Sequence, residues 1–267
     1  MIGILRVGFL GTIVTFLLAP LVVVGGVSLN ARKVLFFPPE GTSLRWYGEL
    51  FSEQSWLLAV KHSLIIASTS ALVALSVALP LAYFLWRYRI FYARVLFTLG
   101  VAPFLLPPVI TALGFLIFWI TLGWYGQLSA VIISHGIFFV ALPLVVISLG
   151  LESIDREVVE AARSMGADNR RVFLTVALPL VRPYLISGYA FAFVLSLNEY
   201  IVAYMVAGFT VETLPIKIFN SLRYGYTPVM ACVTVIFVFL AIIVFGLIAR
   251  FGNLPRLLGA WVGDTEK

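Results

Sequence analysis

Apolar residues in this chain fall into long runs divided by short polar joints. The runs occupy residues 7–28, 63–86, 95–122, 128–149, 183–208 and 229–251. A helix needs about 20 mainly apolar residues to cross the hydrocarbon core of a bilayer, and each run is close to that length. The pattern predicts an all-α polytopic membrane protein, one domain over residues 1–267 with six transmembrane helices. The first run follows a lone Arg6 and shows no A-x-A exit. It also outlasts the apolar core of a cleaved signal peptide, roughly 7–15 residues, so it reads as a retained span, bent locally at Pro20. The second run halts at Arg87-Tyr88-Arg89, and Pro103 and Pro107-Pro108 interrupt the third. Such prolines kink a span as a packing device, or mark a broken helix beside a substrate route. A Gly123-Trp124-Tyr125-Gly126 turn leads into the fourth run.

Residues 152–182 form the longest charged stretch. Ser153 or Asp155 can cap a helix running to Met165, because either side chain accepts from free N–H groups of a first turn. Gly166 suits the stop, where a left-handed residue is needed. Asp168 can cap a second short helix through Asn169, Arg170, Arg171 and Phe173 that ends near Pro179. Ala161 and Ala162 are expected to be exposed between Glu160 and Arg163, small enough for close approach by a partner while the charges fix register. The pattern alone leaves two readings open, a docking element or an amphipathic helix lying at the membrane surface.

Composition agrees with the spans and narrows the function. At 62% hydrophobic and 11% charged, with mean hydropathy +1.08, the chain is far from a soluble globule, where about a quarter of residues are charged. Its net charge of +6 does not point to nucleic acid, because the cations lie mainly at the ends of apolar runs. With Arg6 inside, twelve cations face the cytoplasm (Arg6, Arg87, Arg89, Arg94, Arg156, Arg163, Arg170, Arg171, Arg182, Arg250, Arg256 and Lys267) and six lie outside. That asymmetry obeys the positive-inside rule and puts both termini and the charged stretch in the cytoplasm, with lipid around the spans. Cys232 stands alone in an apolar run, which excludes a disulfide framework and leaves a packing thiol. The sequence shows no metal-ligand cluster and no nucleophile with its base.

The run Glu160-Ala161-Ala162, Gly166, then Val176 and Leu178-Pro179 resembles the E-A-A signature loop of permease subunits of binding-protein-dependent ABC importers, the MetI-like transmembrane domain, with Val176 where isoleucine is usual. It falls between the fourth and fifth runs, as in that family, and the resemblance covers roughly residues 63–251. It implies that Arg156 to Gly166 form a coupling helix seated on a cytoplasmic ATPase dimer, with Arg156, Glu160, Ala161, Ala162, Arg163, Gly166 and Pro179 as coupling residues. ATP and magnesium would then belong to that partner, and the chain has no G-x-x-x-x-G-K-[ST] loop of its own. A second homologous permease subunit, a periplasmic or extracellular solute-binding protein and a bacterial inner-membrane location are implied with it.

Glu199 lies inside the fifth run beside Asn198 and Tyr200. An acid at membrane depth costs several kcal/mol unless it faces protein or a watery cavity, so it either lines the pathway, favouring a cationic solute, or bonds a neighbouring helix. His135 in the fourth run has the same two roles open. His62 reads as solvated at the outer boundary, and Trp119, Trp124 and Tyr125 as an interfacial belt. Residues 197–203, 212–219 and 224–228 are similar to the spermidine/putrescine-type, PotC-like branch of the family, in which many members have Asp where Asn198 stands. The branch implies a polyamine or other small amine-bearing solute, and it also serves opines, phosphonates and iron. Residues 213–222 are expected to form a short outer helix, at the exit from the binding protein or filling space between the last two spans. An intramembrane enzyme would need acid pairs or His clusters beyond Glu199 and His135. A secondary transporter would usually show two repeated halves, and no internal repeat is visible.

Overall fold

The computed structural model describes residues 2–88, 91–225 and 227–251. Arg89, Arg256 and Lys267, which the charge pattern assigns to the inner side, and Tyr226 of the 224–228 segment lie outside the described residues. Among the described residues the regular elements are helices, with one isolated β-bridge between Asn30 and Thr42. In chain order these are α1 (Ile2–Ser28), α2 (Arg45–Ser52), α3 (Gln54–Tyr88), α4 (Phe91–Leu105), α5 (Pro108–Thr121), α6 (Leu128–Phe138) and α7 (Ala141–Glu152). They continue as α8 (Arg156–Ser164), α9 (Asn169–Val172), a π-helical turn (Phe173–Ala177), α10 (Leu178–Asn198), α11 (Ile201–Ala207), α12 (Leu214–Tyr224) and α13 (Val229–Phe251).

Four helical segments are individually long and apolar enough to cross a bilayer: Arg6–Ser28, Gln54–Tyr88, Asn169–Asn198 and Val229–Gly246. The third and fourth apolar runs are each broken instead of straight, α4 and α5 meeting at 107° and α6 and α7 at 42°. Six segments result if each bent pair is one span. The prolines account for both bends. Pro107 is extended (φ −53°, ψ 131°) with Pro108 opening α5, as expected where a residue precedes proline and two successive residues lack N–H donors. In α7, Pro143 cannot donate to the carbonyl of Phe139, the residue that closes α6.

The second span starts nine residues earlier than expected, at Gln54, so His62 is inside α3. It is half-buried, with Nδ1 donating to the Glu212 carbonyl at 3.1 Å, instead of solvated. Trp119 likewise departs from the interfacial belt. The bend after Pro107 carries it against α6, where it is buried and Nε1 donates to Ser134 Oγ at 2.7 Å. Trp124 and Tyr125 remain exposed.

The core forms where α3 packs on α6, α7 and α10, and α10 packs on α7. On α3, Ala67, Ala71, Ala74, Ala78 and Ala82 recur at three- and four-residue spacing and are all buried. Small residues let helices approach closely where lipid supplies no hydrophobic drive between them. Gly150 and Gly188 do the same between α7 and α10. A Cβ at Gly150 would stand 2.5 Å from the Tyr184 ring, and one at Gly188 2.9 Å from the Pro143 Cα. At one end of the bundle α2, α12 and the start of α3 close over a second cluster that includes Trp46, Trp56 and the buried Cys232. The charged loop and the end of α3 occupy the other end. α1 packs along α13 and otherwise presents its apolar side chains outward.

Candidate functional site

The loop between α7 and α10 is built by its caps. Asp155 accepts from Glu157 N at 3.3 Å and opens α8, whereas Ser153 turns back to the Gly150 carbonyl. α8 stops at Ser164, one residue before the expected Met165. Ala167 N then donates to Ala162 O at 3.0 Å and Gly166 N to Arg163 O at 2.8 Å. This is a Schellman closure, with Gly166 in the left-handed region at φ +85°. Asp168 accepts from Arg171 N at 2.8 Å and starts the next helix. That helix does not end near Pro179. α9, the π turn and α10 abut, and residues Asn169–Asn198 form one helical segment of 30 residues. The π turn over Phe173–Ala177 sits directly before Leu178-Pro179, widening the backbone where a proline ring would clash with the carbonyl four residues back.

α8 has three faces. Ala162 is buried, contrary to the expectation that both alanines are exposed, because α8 packs back on α9 and the π turn that follow it. Val158, Ala161 and Met165 are exposed, Met165 at 83%. Their spacing of three and four residues makes one apolar stripe. Arg156, Val159, Glu160 and Arg163 turn toward the end of α3, where with Trp86, Arg87 and Tyr88 they line a cleft of about 300 Å³.

The other candidate residues gather where α10 breaks. Glu199 adopts an extended conformation (φ −76°, ψ 130°) between α10 and α11. Its Oε1 accepts from Val202 N at 2.8 Å and its Oε2 from Ala203 N at 3.0 Å, so one carboxylate satisfies two free donors at the start of α11. The helix N-terminus also favours its negative charge. His135, buried in the last turn of α6, places Nε2 3.1 Å from Glu199 Oε2 and Nδ1 2.8 Å from Ser196 Oγ. The Glu199 side chain is only 8% exposed and faces these partners. Asn198 and Tyr200 on either side of it open onto a cleft of about 460 Å³, lined also by Phe219 and Leu222 of α12 and Phe237 of α13. The Tyr200 and Phe219 rings lie 4.8 Å apart.

The model of the family described as "binding-protein-dependent transport system inner membrane component" matches residues 70–253, which hold both the loop and the break. The chain belongs to this family of importer permeases. It is 36% identical over 234 residues to the putrescine transport system permease protein PotI of Escherichia coli (strain K12), covering 85% of this chain and 81% of that protein. It is 30% identical over 258 residues to the spermidine/putrescine transport system permease protein PotC of the same strain, covering 94% and 96%. In fold it is similar to a bacterial ABC transporter involved in the import of the acidic polysaccharide alginate, with a TM-score of 0.73 at 19% identity over 93% of this chain and 95% of that one.

In this permease some site features escape a sequence reading. Val158 and Met165 carry the exposed face of α8, and their three- and four-residue spacing with Ala161 was the available signal. Nothing in the local pattern marks Ser196 as the partner of His135, because 61 residues separate them. Arg87 enters the loop site from α3: its Nη2 donates to Asn169 Oδ1 at 3.2 Å, and Tyr83 OH donates to the Asn169 carbonyl at 3.4 Å.

Proposed function

We propose that this permease forms half of the translocation pathway of an ATP-driven importer for a small amine-bearing cation of the putrescine and spermidine class. The observation that carries the reading is the uninterrupted helical segment Asn169–Asn198. One of its ends is the α8 loop and the other is the break that holds Asn198 and Tyr200 at the cleft. A continuous helical segment of 30 residues, with one π-helical turn near its start, couples displacement of the loop to the cleft.

In this reading the E-A-A loop, residues 152–182, docks on a cytoplasmic ATPase dimer through Arg156, Glu160, Ala161, Arg163 and the stop at Gly166, with Ala162 and Pro179 shaping it. ATP and Mg²⁺ are bound by that dimer, and the chain performs no hydrolysis itself. Each bent helix pair counts as one span, giving six in a single domain. A second homologous permease completes the pathway, and a periplasmic binding protein delivers solute at the α2–α12 end. Both termini lie on the cytoplasmic side of the inner membrane. Ring faces attract cations, so Tyr200, Phe219 and Phe237 suit an amine. Glu199 and His135 hold the break in shape, and the Glu199 carboxylate supplies the negative field behind Asn198 and Tyr200.

Mild purification of the tagged permease, with mass spectrometry of co-purifying chains, tests the assembly. Recovery of an ATPase and a second permease supports it. Recovery of the permease alone from several detergents counts against it.

A further inference from the structure

The cleft between α3 and α8 brings three guanidinium groups together. Arg87, Arg156 and Arg163 line it with Glu160. Among the described residues none of the four is in an ion pair within 4.0 Å. Arg87 Nη2 and Arg163 Nη2 both donate to the same neutral acceptor, Asn169 Oδ1, each at 3.2 Å. Two like charges held on one amide oxygen repel unless an anion joins them. Arg87 Nε is buried and has no hydrogen-bond partner among the described residues, so one charged donor is still unsatisfied. Three cations against one carboxylate leave the cleft positive.

Its position selects the anion. Trp86 and Tyr88 flank Arg87 in the last turn of α3, and such aromatic rings mark the depth of lipid headgroups. Toward the membrane centre, the stripe of α3 through Val77, Pro80 and Phe84 lines an apolar groove of about 840 Å³. Leu96 and Gly100 of α4 and Ile137 of α6 complete its walls. Arg87 and Tyr88 continue that stripe by three- and four-residue steps from Phe84, and the Phe84 and Tyr88 rings are 5.3 Å apart. Basic pockets between spans on the cytoplasmic side are suited to anionic lipid headgroups.

We propose that Arg87, Arg156 and Arg163 bind the phosphate-bearing headgroup of an anionic inner-leaflet phospholipid whose acyl chains lie in the α3–α4–α6 groove. The lipid joins α8 to the end of α3 and so stiffens the loop against its span. The proposal rests on placing the loop at the cytoplasmic face, but its test reads lipid retention and needs no transport.

The test uses the purified complex, with its co-purifying subunits, in neutral phosphatidylcholine nanodiscs doped with phosphatidylglycerol, retained lipid being counted by native mass spectrometry. Phosphatidylglycerol is expected to be retained over phosphatidylcholine, and inorganic phosphate should not displace it. Loss of a charge-assisted hydrogen bond should lower retention by about tenfold in Arg87→Gln. Arg156→Gln, at an exposed position that the proposed docking loop shares, should lower it in the same direction in complexes that still hold their ATPase, and Arg87→Lys should restore most of it. Equal retention of both lipids, or unchanged retention in Arg87→Gln and Arg156→Gln, would overturn the proposal. Displacement by inorganic phosphate would make this a free-anion site. Retention only after the ATPase is stripped away would assign the cleft to an acidic side chain of that subunit. Either result also overturns it.

Discussion

His135 Nε2 stands 3.1 Å from Glu199 Oε2, joining the bend between α6 and α7 to the break between α10 and α11. The two residues occupy separate apolar runs, and both side chains are almost fully enclosed. A carboxylate that accepts from two backbone N–H groups and faces an imidazole is satisfied at a depth where an isolated acid is costly. It thereby fixes how Asn198 and Tyr200 are presented to the cleft.

Glu199→Gln therefore acts on shape and field together. The amide cannot accept at both Val202 N and Ala203 N, so one buried donor loses its partner, a cost of roughly 1–3 kcal/mol. The variant should unfold at lower temperature in detergent and lose more of its uptake of a cationic solute than of its partner subunits in co-purification. Unchanged uptake and melting would remove the residue from the account.

Tyr200 and Phe219 make the aromatic wall of the cleft. A cation–π contact is worth about 0.5–2 kcal/mol. Tyr200→Ala should thus raise the apparent KM for putrescine several-fold with a smaller change in maximal rate, whereas Tyr200→Phe should leave it close to wild type. Uptake curves over a range of solute concentration give both parameters. Asn198→Asp places a negative charge on the same wall and should lower that KM.

On the loop, the exposed stripe Val158–Ala161–Met165 and the charged row Arg156–Glu160–Arg163 are separate faces of α8. Glu160→Lys reverses a charge in the row and should leave the protein in the membrane while releasing or uncoupling the ATPase. Met165→Asp should weaken ATPase retention through the stripe. Co-purification and stimulated ATP hydrolysis measure both, and normal transport in the two variants would withdraw the docking surface.

Gly166 closes α8 at φ +85°. A β-branched residue meets steric cost in that left-handed conformation, about 1–2 kcal/mol. Gly166→Val should fray the end of α8 and reduce coupling, visible as uptake lost while basal ATP hydrolysis persists. An exposed control such as Ser164→Ala should have little effect.

Much of this architecture was legible in the chain because membrane depth restricts it to helices. The apolar runs marked the candidate spans, and Gly166 and Asp168 announced their caps, while the first cap stood open between Ser153 and Asp155 until the structure chose Asp155. What remained hidden depends on tertiary direction. Hydropathy counts the third run as one span whether Pro107 bends it slightly or by 107°, so the burial of Trp119 against Ser134 could not be foreseen. Glu199 was conspicuous as an acid in an apolar run, yet its role follows from a break in α10 that no glycine or proline marks. Ala162 was expected to be exposed beside Ala161, and only the angle at which α8 lies on α9 and the π turn decides otherwise.

The most direct test is solute uptake by proteoliposomes holding the purified complex, with binding protein and putrescine outside and ATP sealed within, while ionophores collapse the proton and sodium gradients. The account predicts accumulation of putrescine that persists under the ionophores, stops without internal ATP and is lost with Glu160→Lys. Uptake that survives ATP depletion but fails when the gradients collapse would contradict it.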